Sequence, residues 1–149
     1  MKRKASDLLK EKGNAVYTID GDSMLKDVIK IFNEKHIGAL IVVNDAKEIQ
    51  GIITERDILR KVARIEGEIK DISVKSVMTP RDQLKVGTPD DSLEYLMKVM
   101  TVNRFRHIPI VESEAKPSLN GIISIGDIVK SFLNDFDHEN KFLRDFPFA

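Results

Sequence analysis

The sequence predicts an α+β fold in which two β-α-β-β-α units pack with pseudo-twofold symmetry into one body. The main observation is an internal repeat: residues 51–58 read GIITERDI and residues 121–128 read GIISIGDI, with five of eight positions identical. Upstream apolar positions of the two halves match at a constant offset of 68, which becomes 70 after the second hairpin. Because a unit of about 60 residues has a marginal core, we expect the two units to bury their apolar sheet faces against each other.

Each half begins with a short strand and a helix. Residues 16–19 and 84–86 are apolar runs that favour strands. Asp22-Ser23 and Asp90-Asp91 follow as candidate N-caps, and the apolar residues after them recur at the helical spacing i, i+3, i+4 and i+7.

A hairpin and a second helix complete each half. The apolar, largely β-branched runs 38–43 and 106–111 are typical of strands buried on both faces. Asn44-Asp45 in the first half and Pro117 in the second mark polar turns, and each second strand ends in Gly-Ile-Ile-Thr/Ser. Residues 64–76 then bridge the halves.

Composition narrows the classes of function. The 149 residues include 24 Lys and Arg against 24 Asp and Glu, so no overall field attracts a nucleic acid or an acidic membrane. The absence of cysteine excludes disulfides, thiolate metal sites and a cysteine nucleophile. No apolar run is long enough for a signal peptide or a membrane span. We therefore expect a cytoplasmic protein with no membrane or nucleic-acid partner.

The repeated strand-to-helix corner is the candidate site. Thr54 or Ser124 stands at the N-cap position, and Asp57 or Asp127 follows three residues later. One interpretation is a capping box, which stabilises a helix by about 0.5–2 kcal/mol and needs no ligand. The other is ligand binding, because free N–H groups at a helix N-terminus favour phosphate and a carboxylate can accept from two ribose hydroxyls. The motif alone leaves both interpretations open.

Four stretches together resemble the CBS domain family. They are the two copies of Gly-hydrophobic-hydrophobic-Ser/Thr-x-x-Asp-hydrophobic, the strand Arg106-His107-Ile108-Pro109-Ile110-Val111 and the segment Val77-Met78-Thr79-Pro80. Two copies in register make the resemblance far more specific than any single motif. The boundaries it implies are CBS repeat 1 at 6–66, CBS repeat 2 at 74–134 and a helical tail at 135–149.

In the CBS family the positions of this corner hold the ribose and phosphate of adenosine nucleotides. The resemblance implies one cleft at Thr54 and Asp57 and a second at Ser124 and Asp127. The implied ligand is AMP, ADP, ATP or NAD(H), and no catalytic cofactor is implied.

The adenine slot and the phosphate contacts are likewise implied by the resemblance. Each of these assignments has an alternative interpretation. An apolar residue of the slot can simply pack in the core, and a surface arginine can simply be solvated. The slot of the first cleft is assigned to Met78, Thr79, Phe105 and Arg106. The slot of the second cleft is assigned to Ile37 and Gly38, with residues near Leu9 and Ala15. The candidate cations are Arg56, Arg104, Arg106 and His107.

The C-terminal tail is rich in aromatic residues. Five of the seven phenylalanines lie in the last 18 residues, at positions 132, 136, 142, 146 and 148. The tail is interpreted either as a helix that folds over its own core or as one that docks on a second copy, which predicts a homodimer.

These features bear on three candidate functions. The first is a stand-alone regulator that binds an adenosine nucleotide and signals to an unknown effector protein through a conformational or dimer change. The second is a structural dimerisation module whose corners are only helix caps. The third, a nucleotide hydrolase, lacks a phosphate loop and paired catalytic acids. The three histidines have no metal-like spacing. We therefore expect no catalytic residues and no metal site.

Overall fold

The sequence repeat is also a repeat in space. The computed structural model describes residues 3–139, with side chains to residue 136. Its helices are α1 Ala5–Lys12, α2 Leu25–Lys35, α3 Glu55–Val62, α4 Leu93–Asn103 and α5 Ile125–Glu139. Its strands are β1 Thr18–Asp20, β2 Ala39–Val43, β3 Ile49–Thr54, β4 Thr79–Pro80, β5 His107–Val111 and β6 Leu119–Ser124.

Two sheets carry the repeats. The first has the order β1-β2-β3-β4, with β1 parallel to β2 and the other neighbours antiparallel. The second is the antiparallel hairpin β5-β6. Ala39 pairs with Thr54 in one hairpin and His107 with Ser124 in the other, and both hairpins have a register shift near the end of the first strand. Both polar corners therefore start at the same point of the same hairpin.

The strand expected at residues 84–86 does not form. The chain makes only an isolated parallel bridge there, between Gly87 and Ile110, after a turn of 3₁₀-helix at Arg81–Gln83. The main-chain bonds are limited to Gly87 N–H with Pro109 O and Val111 N–H with Gly87 O. The second half therefore presents a narrower sheet than the first.

Helices α2 and α4 bury equivalent stripes. Leu25, Val28 and Phe32 of α2 are buried, and so are the residues 68 positions later, Leu93, Leu96 and Met100. The N-caps are Met24 and Ser92, each directly after the predicted candidate pair, Asp22-Ser23 or Asp90-Asp91. Both helices end on a residue in the left-handed region, His36 with φ 54° and Arg104 with φ 60°.

Each half completes the core of the other. Leu8 and Leu9 of α1 pack with the buried face of α4 in the second half. Val74, from the segment between the halves, packs with the buried face of α2 in the first half. A third cluster joins the two sheets directly, with Ile41 on one side and Val111 on the other. The prediction of one fused body is confirmed.

The opening segments of the two halves, α1 in the first and residues 74–80 in the second, each pack against the other half, and we call them the crossed segments. Two glycines allow them to come close to the hairpins. A Cβ at Gly51 would lie 2.3 Å from the main-chain oxygen of Thr79, so any side chain there meets backbone. A Cβ at Gly121 would lie 2.7 Å from Cδ2 of Leu9. The opening segment of each half therefore lies directly beside the corner of the other half.

The tail is described only in part. Phe132 packs against the core of the second half, and Arg3 donates to the buried hydroxyl of Ser131. The predictions for Phe142, Phe146 and Phe148 fall outside the described residues. No helix within residues 3–139 combines the length and hydropathy needed to cross a bilayer.

Candidate functional site

A cavity of about 340 Å³ lies between the two halves, within the size range of small-molecule sites. The first half contributes the end of β3 and the start of α3. The second half contributes β4 and the turn between α4 and β5. The lining residues are Gly38, Ile52, Thr54, Glu55, Arg56, Asp57, Arg60, Thr79, Leu84, Asn103, Arg104, Phe105, Arg106 and His107.

The Thr54 corner forms a capping box and also faces this cavity. Thr54 N–H donates to Oδ2 of Asp57 at 2.9 Å, and Asp57 N–H donates to the Thr54 hydroxyl at 3.3 Å. The Thr79 hydroxyl donates to the second carboxylate oxygen, Oδ1 of Asp57, at 3.3 Å. Only Oδ2 is used by the cap, so Oδ1 is the atom available to a ligand hydroxyl that replaces Thr79. The two interpretations of the motif are therefore compatible.

The cavity is rich in arginine. Arg56 and Arg60 lie one turn apart on α3, and Arg104 and Arg106 flank Phe105 in the opposite wall. Within the described part of the chain, none of these four guanidinium groups forms an ion pair or a side-chain hydrogen bond. Glu55 is held near Gly38, where a Cβ would lie only 2.6 Å from Oε1 of Glu55.

His107 lies at the point where the two corners approach each other. It lines the cavity of the first corner. Burial lowers the pKa of His107 below its ordinary value of 6.5, although the nearby carboxylate of Asp127 acts in the opposite direction. The imidazole is therefore neutral at pH 7 and can donate or accept a hydrogen bond there.

The Ser124 corner has the same cap but a different neighbour. Ser124 N–H donates to Oδ2 of Asp127 at 2.9 Å, and Asp127 N–H donates to the Ser124 hydroxyl at 3.0 Å. Lys12, at the end of α1, places Nζ 2.7 Å from the same Oδ2 and 2.7 Å from the main-chain oxygen of Ile122. Burial would raise the pKa of Asp127, but Lys12 and the cap outweigh it and hold that pKa below its ordinary value.

Nine of the thirteen predicted site residues line the cavity. They are Gly38, Thr54, Arg56, Asp57, Thr79, Arg104, Phe105, Arg106 and His107. Ser124 and Asp127 form the other corner. Met78 and Ile37 pack against the core of the first half, which is the alternative that the sequence left open for them.

The prediction that Gly38 belongs to the second cleft is wrong. Glu55 N–H donates to Gly38 O, and Ala39 pairs with Thr54, so the hairpin places Gly38 beside the first corner. It lines the cavity there.

The sequence analysis did not identify several residues that line the cavity or contact the second corner. Ile52, Leu84 and Asn103 line the cavity without any motif to mark them. Arg60 is one helical turn after Arg56, which could have indicated it. Lys12 lies three residues after Leu9, which had been assigned to the second cleft, so its approach to Asp127 could have been inferred. No three His, Asp or Glu side chains in the described residues could together hold a metal ion.

Both halves of the chain match a known family. The CBS domain model matches residues 6–64 and 74–134. The mitochondrial CBS domain-containing protein CBSX3 of Arabidopsis thaliana is 34% identical over 143 residues, which cover 90% of this chain and 66% of CBSX3. This chain therefore spans just under two thirds of the length of that relative.

Two solved structures have the same architecture. The CBS-domain protein ATU1752 of Agrobacterium tumefaciens is 34% identical, with a TM-score of 0.80 over 87% of this chain and 98% of that one. CBSX2, crystallised in complex with AMP, shares the fold with a TM-score of 0.72 and 19% identity, over 90% of this chain and 98% of that one.

Proposed function

The chain belongs to the CBS domain family, and on that basis we propose that it is a regulatory CBS pair that binds an adenosine nucleotide beside Thr54 and Asp57. The observation that carries this proposal is the cavity between the halves, which combines a carboxylate, an apolar wall and unpaired cations. The AMP complex of the CBS pair CBSX2 supports this class of ligand.

Each part of an adenosine nucleotide has a matching group in the cavity. The ribose hydroxyls would donate to Oδ1 of Asp57, in place of the Thr79 hydroxyl. The adenine ring would lie against Phe105, with Ile52 and Leu84 as further apolar surface. The phosphate would accept from the guanidinium groups that line the same cavity.

We propose one nucleotide per chain rather than two. In the second corner, Nζ of Lys12 already bonds the carboxylate of Asp127 at 2.7 Å, and Leu9 packs where Gly121 leaves space. A ribose hydroxyl there would have to displace a cation from a partly buried ion pair, which costs more than replacing a neutral hydroxyl.

The proposed signal is a shift in the arrangement of the two halves. The ligand would contact Asp57 in the first half and Phe105 in the second, so it would favour the arrangement in which both are in reach. A homodimer partner or a separate effector protein would respond to that arrangement. No catalytic step is part of this proposal.

Isothermal titration with AMP, ADP, ATP and NAD(H) tests the proposal, with Asp57→Asn and Asp127→Asn as a matched pair. Both substitutions weaken the same kind of capping box, at a cost of about 0.5–2 kcal/mol each, and Asp127→Asn additionally removes the ion pair with Lys12. Only Asp57→Asn is expected to weaken binding, by about tenfold for one lost charge-assisted hydrogen bond pair. Binding weaker than millimolar for all four ligands, or an equal effect of both variants, would contradict the proposal.

The second candidate function is a structural dimerisation module without a ligand. It is favoured by one observation, that at both corners the hydroxyl and the acid already bond each other's main-chain N–H groups as a helix cap. Under this alternative, Asp57→Asn changes the melting temperature and no nucleotide changes it. Thermal shift measurements of the wild-type protein with and without ATP therefore separate the two candidates.

A further inference from the structure

The cavity is lined by more arginines than carboxylates. The lining contains Arg56, Arg60, Arg104 and Arg106 against Glu55 and Asp57, an excess of two positive charges in a chain whose net charge is zero. His107 adds no charge at neutral pH because burial lowers its pKa.

Among the described residues, the cavity arginines have no acidic partner, whereas some cations elsewhere in the structure do. Lys12 pairs with Asp127 and Arg3 pairs with Glu11. Within residues 3–139, none of the four cavity arginines has such a pair. Since four guanidinium groups around one cavity of about 340 Å³ repel each other, an anion in the cavity relieves that repulsion.

The cationic surface also extends beyond the cavity along α3. Arg60 and Asp57 line an adjoining pocket of about 310 Å³ together with Lys61 and Arg64. Arg56, Arg60 and Arg64 are spaced by four residues, so they follow one face of the helix and its continuation over about 12 Å. Arg60 therefore lies between the site proposed for the nucleotide and further cations.

We propose that this cavity selects adenosine nucleotides with two or three phosphates over the monophosphate, and that Arg60 is the residue that makes the distinction. This inference rests on the proposed function. A single phosphate carries about 1.5–2 negative charges and three terminal oxygens, which two bidentate guanidinium groups already satisfy. The other two arginines gain a partner only when a second or third phosphate is present.

The test is a titration series with adenosine, AMP, ADP and ATP, without magnesium and at constant ionic strength. We expect the affinity to increase with each phosphate and to be at least about tenfold higher for ATP than for AMP. Two additional charged contacts are sufficient for a difference of this size. Arg60→Gln is expected to weaken ATP about tenfold and AMP less than threefold. Lys130→Gln is the matched control, because residue 130 is the equivalent of residue 60 on α5 and does not line the cavity.

The outcomes are distinguishable. Equal or tighter binding of AMP, or equal losses for AMP and ATP in Arg60→Gln, overturns the selection of polyphosphates while the proposed function remains. If neither AMP nor ATP binds below millimolar concentration, the proposed function itself fails and the inference fails with it. Circular dichroism of Arg60→Gln confirms that any loss of affinity is measured on a folded protein.

Discussion

The two strand-to-helix corners share one motif and one hydrogen-bonding geometry, yet their surroundings are opposite. At the first corner, the neutral hydroxyl of Thr79 contacts Asp57 at 3.3 Å and a cavity lies in front of it. At the second, the ammonium group of Lys12 contacts Asp127 at 2.7 Å. In both cases the neighbour comes from the opening segment of the other half. The duplicated motif therefore gives both halves the same cap, and the two corners differ in the residue that the opening segment of the other half places against the acid.

The residues between the hydroxyl and the acid increase this difference. The first corner carries Glu55 and Arg56, whereas the second carries Ile125 and Gly126. A charged helix start is suited to polar ligands, and an apolar one is suited to packing. Ile125 indeed packs against the core of the second half. The two corners thus share one cap but differ in the polarity of the two residues that follow its hydroxyl.

The largest expected effect concerns the glycines that allow the crossed segments to approach. We expect Gly51→Ala to lower the free energy of unfolding by about 3 kcal/mol and Gly121→Ala by about 1 kcal/mol, because overpacking costs most where the neighbour cannot move. The new Cβ meets a main-chain oxygen at Gly51 but a leucine side chain at Gly121. Urea denaturation measures both, and equal losses would show that the two approaches are equally rigid.

Lys12→Met tests whether the lysine closes the second corner. The variant removes the cation from the carboxylate of Asp127, whose side chain is 27% exposed. We expect the free energy of unfolding at pH 7 to fall by about 1–2 kcal/mol, which lies between the values for exposed and buried ion pairs. The pKa of Asp127 is lowered in the folded wild-type protein, so the stabilisation is present at neutral pH and is lost as pH falls through that pKa.

The destabilisation by Lys12→Met should therefore shrink below about pH 4, where Asp127 becomes protonated in the unfolded chain. Lys75→Met is the control, because its pair with Asp22 is exposed and its removal should change the melting temperature little at any pH. Titration of the Lys12→Met variant with ATP should show more than one site per chain. A stoichiometry that stays at one would mean that Leu9, rather than Lys12, closes the corner.

The pH dependence of stability near neutrality should come from His107. Its pKa is lowered in the folded state by burial, so the unfolded chain binds the proton more readily and the free energy of unfolding falls as pH drops below 6.5. His107→Gln should flatten the profile between pH 7 and 5.5. Chemical denaturation at several pH values measures this, and an unchanged slope in His107→Gln would contradict the assignment.

The smallest expected effect uses the two left-handed helix ends. His36→Gly and Arg104→Gly each place a glycine at a positive φ, and we expect each to stabilise the protein by about 0.5–1 kcal/mol. Only Arg104→Gly removes a cation from the cavity. Nucleotide affinity should therefore fall in that variant alone, and an equal fall in both would show a backbone effect.

The sequence predicted the fold well where the repeat itself carried the information. The buried stripe of α2 recurs in α4 at the offset of 68, and both hairpins lie where the repeated corner places them. The prediction of a strand at residues 84–86 was wrong because a short apolar run can also pack as an irregular segment. Leu84 packs in this way against Val111 and Ile52.

The candidate site was predicted less completely, for a different physical reason. A repeat identifies equivalent positions, but it does not say which half an amphipathic segment packs against. Leu8 and Leu9 could have covered either core, so the apolar pattern alone does not place Lys12 near Asp127. Only the family resemblance, which puts Leu9 near the second cleft, points to that contact. Arg60 is exposed, and an exposed arginine on a helix looks the same in sequence whether it is solvated or lines a cavity.

The exchange of opening segments has a consequence for how the protein folds. A cut within residues 64–71 would separate α1 from the core of α4 and Val74 from the core of α2. Neither fragment would retain a complete hydrophobic core, but each would carry the core segment that the other fragment lacks. The two fragments should therefore be unstructured alone and should reassemble when mixed, and the intact chain should unfold in a single cooperative transition.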